Sequence, residues 1–163
     1  MAGGRVHRLT APEDLRYAGR AMTARSLPEA NRCFICGPSN PIGLRLRFRE
    51  EGEGVAADFA FGDQFIGWEG LIHGGLVAAV LDDAMANIWA WRGTPAVTTS
   101  ISVRFRVPVH PGERLRVFAE PMGTRRSAMQ RARGTVTRED GTLVADGEGV
   151  VMVGARAAGL PEG

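Results

Sequence analysis

Residues 70–91 read GLIHGGLVAAVLDDAMANIWAW and predict one long, largely apolar helix around which the rest of the chain is organised. The pattern indicates a helix that begins near His73 and ends by Gly93, followed by a proline. Gly74 and Gly75 in its first turn would let a ligand approach the backbone closely. The first N–H groups of a helix have no partners inside it, so this end of the helix favours oxyanions.

Two adjacent aspartates, Asp82 and Asp83, interrupt the apolar run two turns into this helix. The neighbours of Asp82 at the i±3 and i±4 positions are alanine and methionine, so its face of the helix offers no cation. A carboxylate in such a place costs free energy and is therefore a functional candidate. The two side chains differ by about 100° around the helix. We therefore expect one of them to be solvated or paired with an arginine.

Six strand patterns surround the helix. They span 44–49, 55–61, 97–109, 115–120, 128–137 and 143–153. In the first strand after the helix, the alternation places Thr98, Arg104 and Arg106 on the polar face. The order of two strands, one helix and four strands predicts an α+β domain in which an antiparallel sheet curls around the helix.

Composition and charge restrict the class of protein. The predicted strands and helix form one domain at 31–153, with an N-terminal arm and a short helix in 1–30 and a tail at 154–163. The net charge of +2 is too small to indicate a nucleic-acid partner. No apolar run approaches the roughly 18 residues of a membrane span, and the N-terminus lacks a signal-peptide pattern. We expect a cytoplasmic protein without a membrane partner.

Cys33 and Cys36 form a single CxxC motif. The chain has no second such motif, and three histidines are the other soft ligands. We therefore expect no metal and no redox site, and interpret the cysteines as small apolar residues in a turn.

Three segments carry a resemblance to a known family. They are CFICGPSNPIGLRLRF (33–48), GWEGLIHGGLVAAVLDDAM (67–85) and VTTSISVRFRVPVHPGE (97–113). Together they resemble the hotdog-fold acyl-CoA thioesterases, in particular the small branch related to the phenylacetate-pathway enzyme. HGG alone is a weak signal, but an aspartate nine positions after the histidine, then a strand and a PGE turn, make it fairly specific. The resemblance implies a hotdog fold and self-association as a homodimer or homotetramer.

The resemblance also implies roles for individual residues. The N–H of Gly74 would polarise the thioester carbonyl, Asp82 would be the helix carboxylate, and Thr98 would supply an assisting hydroxyl. We therefore favour Asp82 over Asp83 for chemistry, as general base or as nucleophile. His73 is either a catalytic acid–base or a residue that fixes the loop. The family builds its site across a dimer interface, with the glycine from one subunit and the carboxylate from the other.

One position departs from the family. Several relatives carry Asn or Gln seven residues before the oxyanion glycine, where this chain has Gly67, and Gln64 is the candidate to replace it. The further candidates for substrate binding are Gly75, Asp83, Arg104 and Arg106. The two arginines are candidates for binding the phosphates of CoA.

The expected activity is hydrolysis of a small or medium acyl-CoA to free acid and CoA, with no cofactor because CoA is part of the substrate. The alternative is an acyl-CoA-binding hotdog protein without hydrolysis, since a fold does not guarantee an activity. A hotdog hydratase would carry a histidine about five residues after its aspartate. This chain has Asn87 and Ile88 there, which disfavours that reaction.

Overall fold

The computed structural model describes residues 32–123 and 128–154. Within them, a long helix lies against one face of a six-stranded antiparallel sheet, so the predicted α+β fold is confirmed. In chain order the elements are β1 (Arg49–Glu51), β2 (Gly54–Phe59), β3 (Ile66–Trp68), β4 (Leu71–Ile72), α1 (Gly74–Ala90), β5 (Ala96–Phe105), β6 (Leu115–Pro121), β7 (Met129–Arg138) and β8 (Leu143–Val153). The sheet has the order β1-β2-β6-β7-β8-β5, and β3 pairs with β4 in a separate hairpin that the sequence did not predict. None of the helices in the described part of the chain is long and apolar enough to cross a membrane.

The core lies between α1 and the sheet. Leu81 and Met85 of α1 are fully buried, which stabilises the fold by about 2–3 kcal/mol for each side chain. A Cβ at Gly134 in β7 would lie 3.1 Å from Leu81, and one at Gly149 in β8 would lie 3.3 Å from Met85. Glycine therefore occurs in the sheet at points where the helix side chains come closest.

The first predicted strand is shorter than its pattern suggested. Of the predicted strand 44–49, only Arg49 belongs to β1, which pairs with β2 in the sheet. Leu46 and Phe48 are nevertheless buried, as the alternation predicted. Arg45 has a φ of 56°, outside the extended region, and the N–H of Leu46 bonds to the carbonyl of Ile35. The extended segment before β1 therefore packs on the preceding turn, not on a neighbouring strand.

A β-bulge in β5 changes the face on which Thr98 lies. Thr98 is opposite Val151 of β8, whereas Ser100 is opposite Val150, so Thr99 is an extra residue in β5. Val151 is fully buried, and residues directly opposite in an antiparallel pair share a face. Thr98 therefore lies on the face that packs against α1. Its predicted position on the polar face is wrong, because a one-residue shift reverses the faces of a strand.

Strand β5 forms one edge of the sheet and exposes apolar side chains. Ile101 and Phe105 are 40% and 56% exposed although they lie opposite the buried residues Gly149 and Ala145. Val97, near the start of the same strand, is 46% exposed. A long apolar edge strand of this kind is a surface on which another chain can pair.

The predicted boundaries of the domain stay a prediction. The N-terminal arm at 1–30 and the tail at 154–163, except Gly154, lie outside the described residues.

Candidate active site

The first residue of α1 presents an open N–H group. Gly74 occupies this position, and its N–H donates no hydrogen bond to a residue of 32–123 or 128–154. His73 caps the helix, because its Nδ1 accepts a hydrogen bond from the Gly75 N–H at 2.9 Å. A Cβ at Gly75 would lie only 2.9 Å from that imidazole ring, so the cap requires glycine there. This hydrogen bond is the one expected of a histidine that fixes the loop, and a catalytic role of His73 stays a prediction. The Gly74 N–H is free to donate a hydrogen bond to a ligand.

A cavity of about 320 Å³ opens beside Gly74. Its walls are mainly apolar and include Ile72, Val77, Phe105 and Val144. The volume lies in the range of small-molecule pockets. This arrangement can hold an apolar group next to a backbone hydrogen-bond donor.

Asp82 is half-buried on α1, and its Oδ1 atom is fully buried without a hydrogen-bond partner among the described residues. It shares a face of the helix with Ala78 and Ala86, whose small side chains carry no polar groups. The Oγ1 of Thr98 is likewise buried and finds no partner in the described ranges. Buried polar atoms are nearly always hydrogen-bonded, so these two exceptions make Asp82 and Thr98 candidates for a functional site.

Asp83 faces a different part of the molecule. Its Oδ1 lies 3.3 Å from Cys33 Sγ, and its Oδ2 accepts a hydrogen bond of 3.0 Å from Asn87 Nδ2. Burial raises the pKa of the Asp83 carboxyl to about 8. The ion pairs seen in the described ranges include neither Asp82 nor Asp83, so neither is paired there with an arginine. A turn distant in sequence covers Asp83 instead, and solvation of one of the two carboxylates stays a prediction.

Steric hindrance explains why position 67 carries glycine where several relatives carry Asn or Gln. A Cβ at Gly67 would lie 2.8 Å from both Cα and Cβ of His73, so neither Asn nor Gln fits there. The Gln64 side chain folds back over Gly62 within the 3-10 turn Asp63–Phe65. Its proposed replacement role therefore gains no support from this arrangement.

The two arginines lie on β5 and just after it, close to Asp146. Arg106 lines the cavity, and its Nε donates to Asp146 Oδ1 at 2.6 Å. This hydrogen bond lowers the pKa of the Asp146 carboxyl, and the charge of Arg104 adds to the effect. Arg106 therefore shares the cavity with Gly74, while Arg104 lies opposite Asp146 on the neighbouring strand β8.

Sequence reasoning missed one group of polar side chains, in which Cys33, Cys36 and Asp83 converge. The CxxC motif and the aspartate pair were both recognised, but they lie about 50 positions apart. No local pattern connects them.

Comparison with known proteins agrees with the fold. The thioesterase superfamily model matches residues 69–145. No curated protein sequence matches the chain. Among solved structures, a thioesterase superfamily protein has a TM-score of 0.65 and 23% identity, and the match covers 71% of this chain and 60% of that one. The chain therefore spans less than two thirds of the length of that protein.

Two further structures resemble it. A mutant of the phenylacetic acid degradation protein PaaI from Thermus thermophilus has a TM-score of 0.60 and 27% identity, covering 67% of this chain and 93% of that one. The protein smu.793 from Streptococcus mutans, bound to acetyl CoA, has a TM-score of 0.61 and 20% identity, covering 66% and 87%. The resemblance drawn from the sequence is thus confirmed: the chain is similar to the thioesterase superfamily over residues 69–145 and shares the hotdog fold of these solved structures.

Proposed function

We propose that the protein is an acyl-CoA thioesterase that hydrolyses a small or medium acyl-CoA to the free acid and CoA. One observation carries the proposal: α1 begins with an open N–H at Gly74 beside an apolar cavity and carries the buried, unpartnered carboxylate oxygen of Asp82. The match of residues 69–145 to the thioesterase superfamily model supports this chemistry. The acetyl CoA bound to the Streptococcus mutans protein supports a CoA thioester as the substrate class.

In the proposed mechanism, the carbonyl oxygen of the thioester accepts a hydrogen bond from the Gly74 N–H, which stabilises the negative charge that develops there. The acyl group occupies the apolar cavity. The Asp82 carboxylate removes a proton from an attacking water molecule, or attacks the carbonyl carbon itself. When water attacks, its new C–O bond replaces the C–S bond, and the CoA sulfur leaves with the proton that Asp82 removed. When Asp82 attacks, the C–S bond breaks as a mixed anhydride forms; water then hydrolyses the anhydride to the free acid, restores the carboxylate and supplies the proton for the sulfur. The Thr98 hydroxyl donates or accepts a hydrogen bond at the same centre.

We further propose that each active site needs two copies of the chain. Gly74 and Asp82 are eight residues apart on one helix, which is about 12 Å along its axis. A reacting carbonyl must lie within about 3 Å of its hydrogen-bond donor and of the group that attacks it. One thioester therefore cannot contact both groups of the same chain. A second copy, paired through the exposed edge of β5, would supply the missing partner in a homodimer or in a homotetramer built from it.

The charged part of the substrate would lie near β5. Arg106 lines the cavity and Arg104 lies opposite Asp146, the hydrogen-bond partner of Arg106, so we propose that the two arginines bind phosphate oxygens of CoA. The ion pair between Arg106 and Asp146 leaves the remaining N–H donors of the guanidinium for this contact.

A hydrolysis panel tests the proposal. Short, medium, long and aromatic acyl-CoAs are incubated with the protein, and the free thiol of released CoA is measured. We expect turnover of at least one short, medium or aromatic substrate, with Asp82→Asn as the inactive control. Saturable binding of acyl-CoA by calorimetry without thiol release would instead identify a non-catalytic acyl-CoA-binding protein, while absence of both would reject the substrate class.

A further inference from the structure

Away from the proposed active site, three side chains that commonly bind metal ions converge. Cys33 Sγ, Cys36 Sγ and a carboxylate oxygen of Asp83 all lie within 4.8 Å of one another. The cysteines lie in the turn that precedes β1, and the aspartate lies on α1. We propose that this Cys33–Cys36–Asp83 cluster is a metal site and that it binds one zinc ion.

The spacing of the ligand atoms suits tetrahedral zinc. Bonds of about 2.3 Å to sulfur and about 2.1 Å to oxygen place a sulfur and an oxygen ligand about 3.6 Å apart and two sulfur ligands about 3.8 Å apart. Cys33 Sγ already lies 3.3 Å from Asp83 Oδ1. A zinc ion therefore needs only small movements of the three side chains and takes the place of the protons between them.

The turn is arranged to hold a thiolate, the form of cysteine that binds metal. The N–H of Ile35 donates a hydrogen bond to Cys33 Sγ at 3.4 Å. The N–H of Gly37 donates to the carbonyl of Cys33 at 2.9 Å, and a Cβ at Gly37 would overlap the backbone of Cys33. The glycine therefore closes a tight turn around the first sulfur, and the N–H group directed at that sulfur stabilises its negative charge.

Asn87 fixes the orientation of the aspartate. Its Nδ2 donates to Asp83 Oδ2 at 3.0 Å and to the Asp83 carbonyl at 2.8 Å. This leaves Oδ1 of Asp83 directed at the cysteines. Metal-binding carboxylates are usually held in this way by a hydrogen bond to the oxygen that does not contact the metal. Three protein ligands leave the fourth zinc position for a water molecule.

Ligand chemistry decides which cation fits. Two sulfur ligands favour zinc and similar transition metals over magnesium or calcium, which prefer oxygen. The ion pairs seen in the described ranges do not involve Asp83, so no arginine in those ranges neutralises its carboxylate in place of a metal ion. The expectation that the chain has no metal site rested on the lack of further cysteine or histidine ligands. It did not consider a carboxylate brought in by the fold.

Metal content and a cobalt spectrum test the proposal on the whole chain. Protein purified under reducing conditions and loaded with zinc should retain about one equivalent per chain after dialysis. Loaded with Co²⁺, it should show the sulfur-to-cobalt charge-transfer band and the visible bands of tetrahedral cobalt. Cys33→Ser and Asp83→Asn should lose or greatly weaken both signals. Asp82→Asn, a change to the adjacent carboxylate outside the cluster, is the matched control and should retain both.

Thermal unfolding supplies a second measurement. Removing the ion with a chelator should lower the Tm of the wild-type chain by more than about 5 °C and leave that of Cys33→Ser unchanged. Reduced wild-type protein that takes up neither ion would overturn the proposal, whether or not the variants fold. Full metal uptake by Cys33→Ser would overturn it as well. This test does not depend on hydrolysis. If the chain binds the metal but has no thioesterase activity, only the proposed function is rejected.

Discussion

Asp82 and Asp83 are neighbours in sequence but lie in two regions with opposite hydrogen-bonding states. Both oxygens of Asp83 have partners, at Cys33 and Asn87. The buried Oδ1 of Asp82 and the hydroxyl of Thr98 have none among the described residues. A buried polar group without a partner costs about 1–3 kcal/mol, whereas a paired one stabilises the local structure. The Asp83 carboxylate therefore finds its hydrogen-bond partners within one chain, whereas the buried atoms of the Asp82 region find none there, as the proposed two-copy site would require.

The difference follows from the geometry of the helix. Successive side chains of α1 point about 100° apart, so the two carboxylates enter separate surroundings. The turn that carries the cysteines covers one of them. We conclude that a double aspartate on a buried helix can serve two purposes, and variants that affect one region but not the other can separate these purposes.

The largest effect should come from the two carboxylates themselves. Asp82→Asn should lower turnover by at least about a hundredfold with little change in stability, because it removes the base or nucleophile but keeps the shape. Asp83→Asn should lower turnover by less than about tenfold and reduce thermal stability, because it removes a group on the other side of the helix. Steady-state kinetics and thermal unfolding of both variants measure this. The reverse outcome would show that the two assignments are exchanged.

The next effect concerns the N–H of Gly74, which belongs to the same region as Asp82. Gly74→Pro removes this donor and should lower turnover about a hundredfold. Proline is favoured at the first position of a helix, and the extended backbone of His73 is compatible with a following proline, so the fold should persist. Gly74→Ala is the matched control. It keeps the N–H, its Cβ would make an ordinary contact of 3.5 Å with Phe105, and most activity should remain. Equal losses in the two variants would point to steric blocking of the cavity.

A mixture of two inactive variants examines whether the Asp82 region is completed by a second copy of the chain. In a mixed dimer of Asp82→Asn and Gly74→Pro subunits, one site receives both intact groups and the other receives two altered ones. With random mixing about half of the dimers are mixed, so activity should recover to about a quarter of the wild-type value. Circular dichroism first confirms that both variants fold. Variants that exchange subunits without any recovery would place both groups in a single chain's own site.

The sequence predicted the parts of this comparison that repeat regularly or lie close together. Apolar periodicity located α1 and most strands, and the spacing of Gly74 and Asp82 matched a family pattern. The bulge at Thr99 could not be predicted from local sequence. The strand there is a run of threonines and serines, in which one extra residue does not stand out. The contact between Cys33 and Asp83 is determined by tertiary packing over a separation of 50 positions, which no local pattern encodes.

The smallest effect is a pH dependence of stability in the metal-free Asp83 region. Burial raises the pKa of Asp83 from 3.8 to about 8, so the folded chain keeps a proton that the unfolded chain releases. Hydrogen bonding with Cys36 lowers the pKa of Cys33 from 9.0 to about 5, so the folded chain releases a proton that the unfolded chain keeps. Between these two pKa values, from about pH 5 to about pH 8, the two effects on the free energy of unfolding offset each other. The two residues together should therefore leave the free energy of unfolding nearly independent of pH there.

Removing either residue should reveal the effect of the other. In Cys33→Ser, the folded chain binds more protons than the unfolded chain through Asp83, so the free energy of unfolding should fall as pH rises over this interval. In Asp83→Asn, the unfolded chain binds more protons through Cys33, so it should rise. Each slope should stay below about 1.4 kcal/mol per pH unit, and solvent around the half-buried Cys33 should reduce its slope further. Urea unfolding with chelator and reductant at several pH values measures both slopes. Slopes of the same sign would show that the pKa of Cys33 or of Asp83 is shifted in the opposite direction, and the surroundings assigned to the Asp83 region would then be wrong.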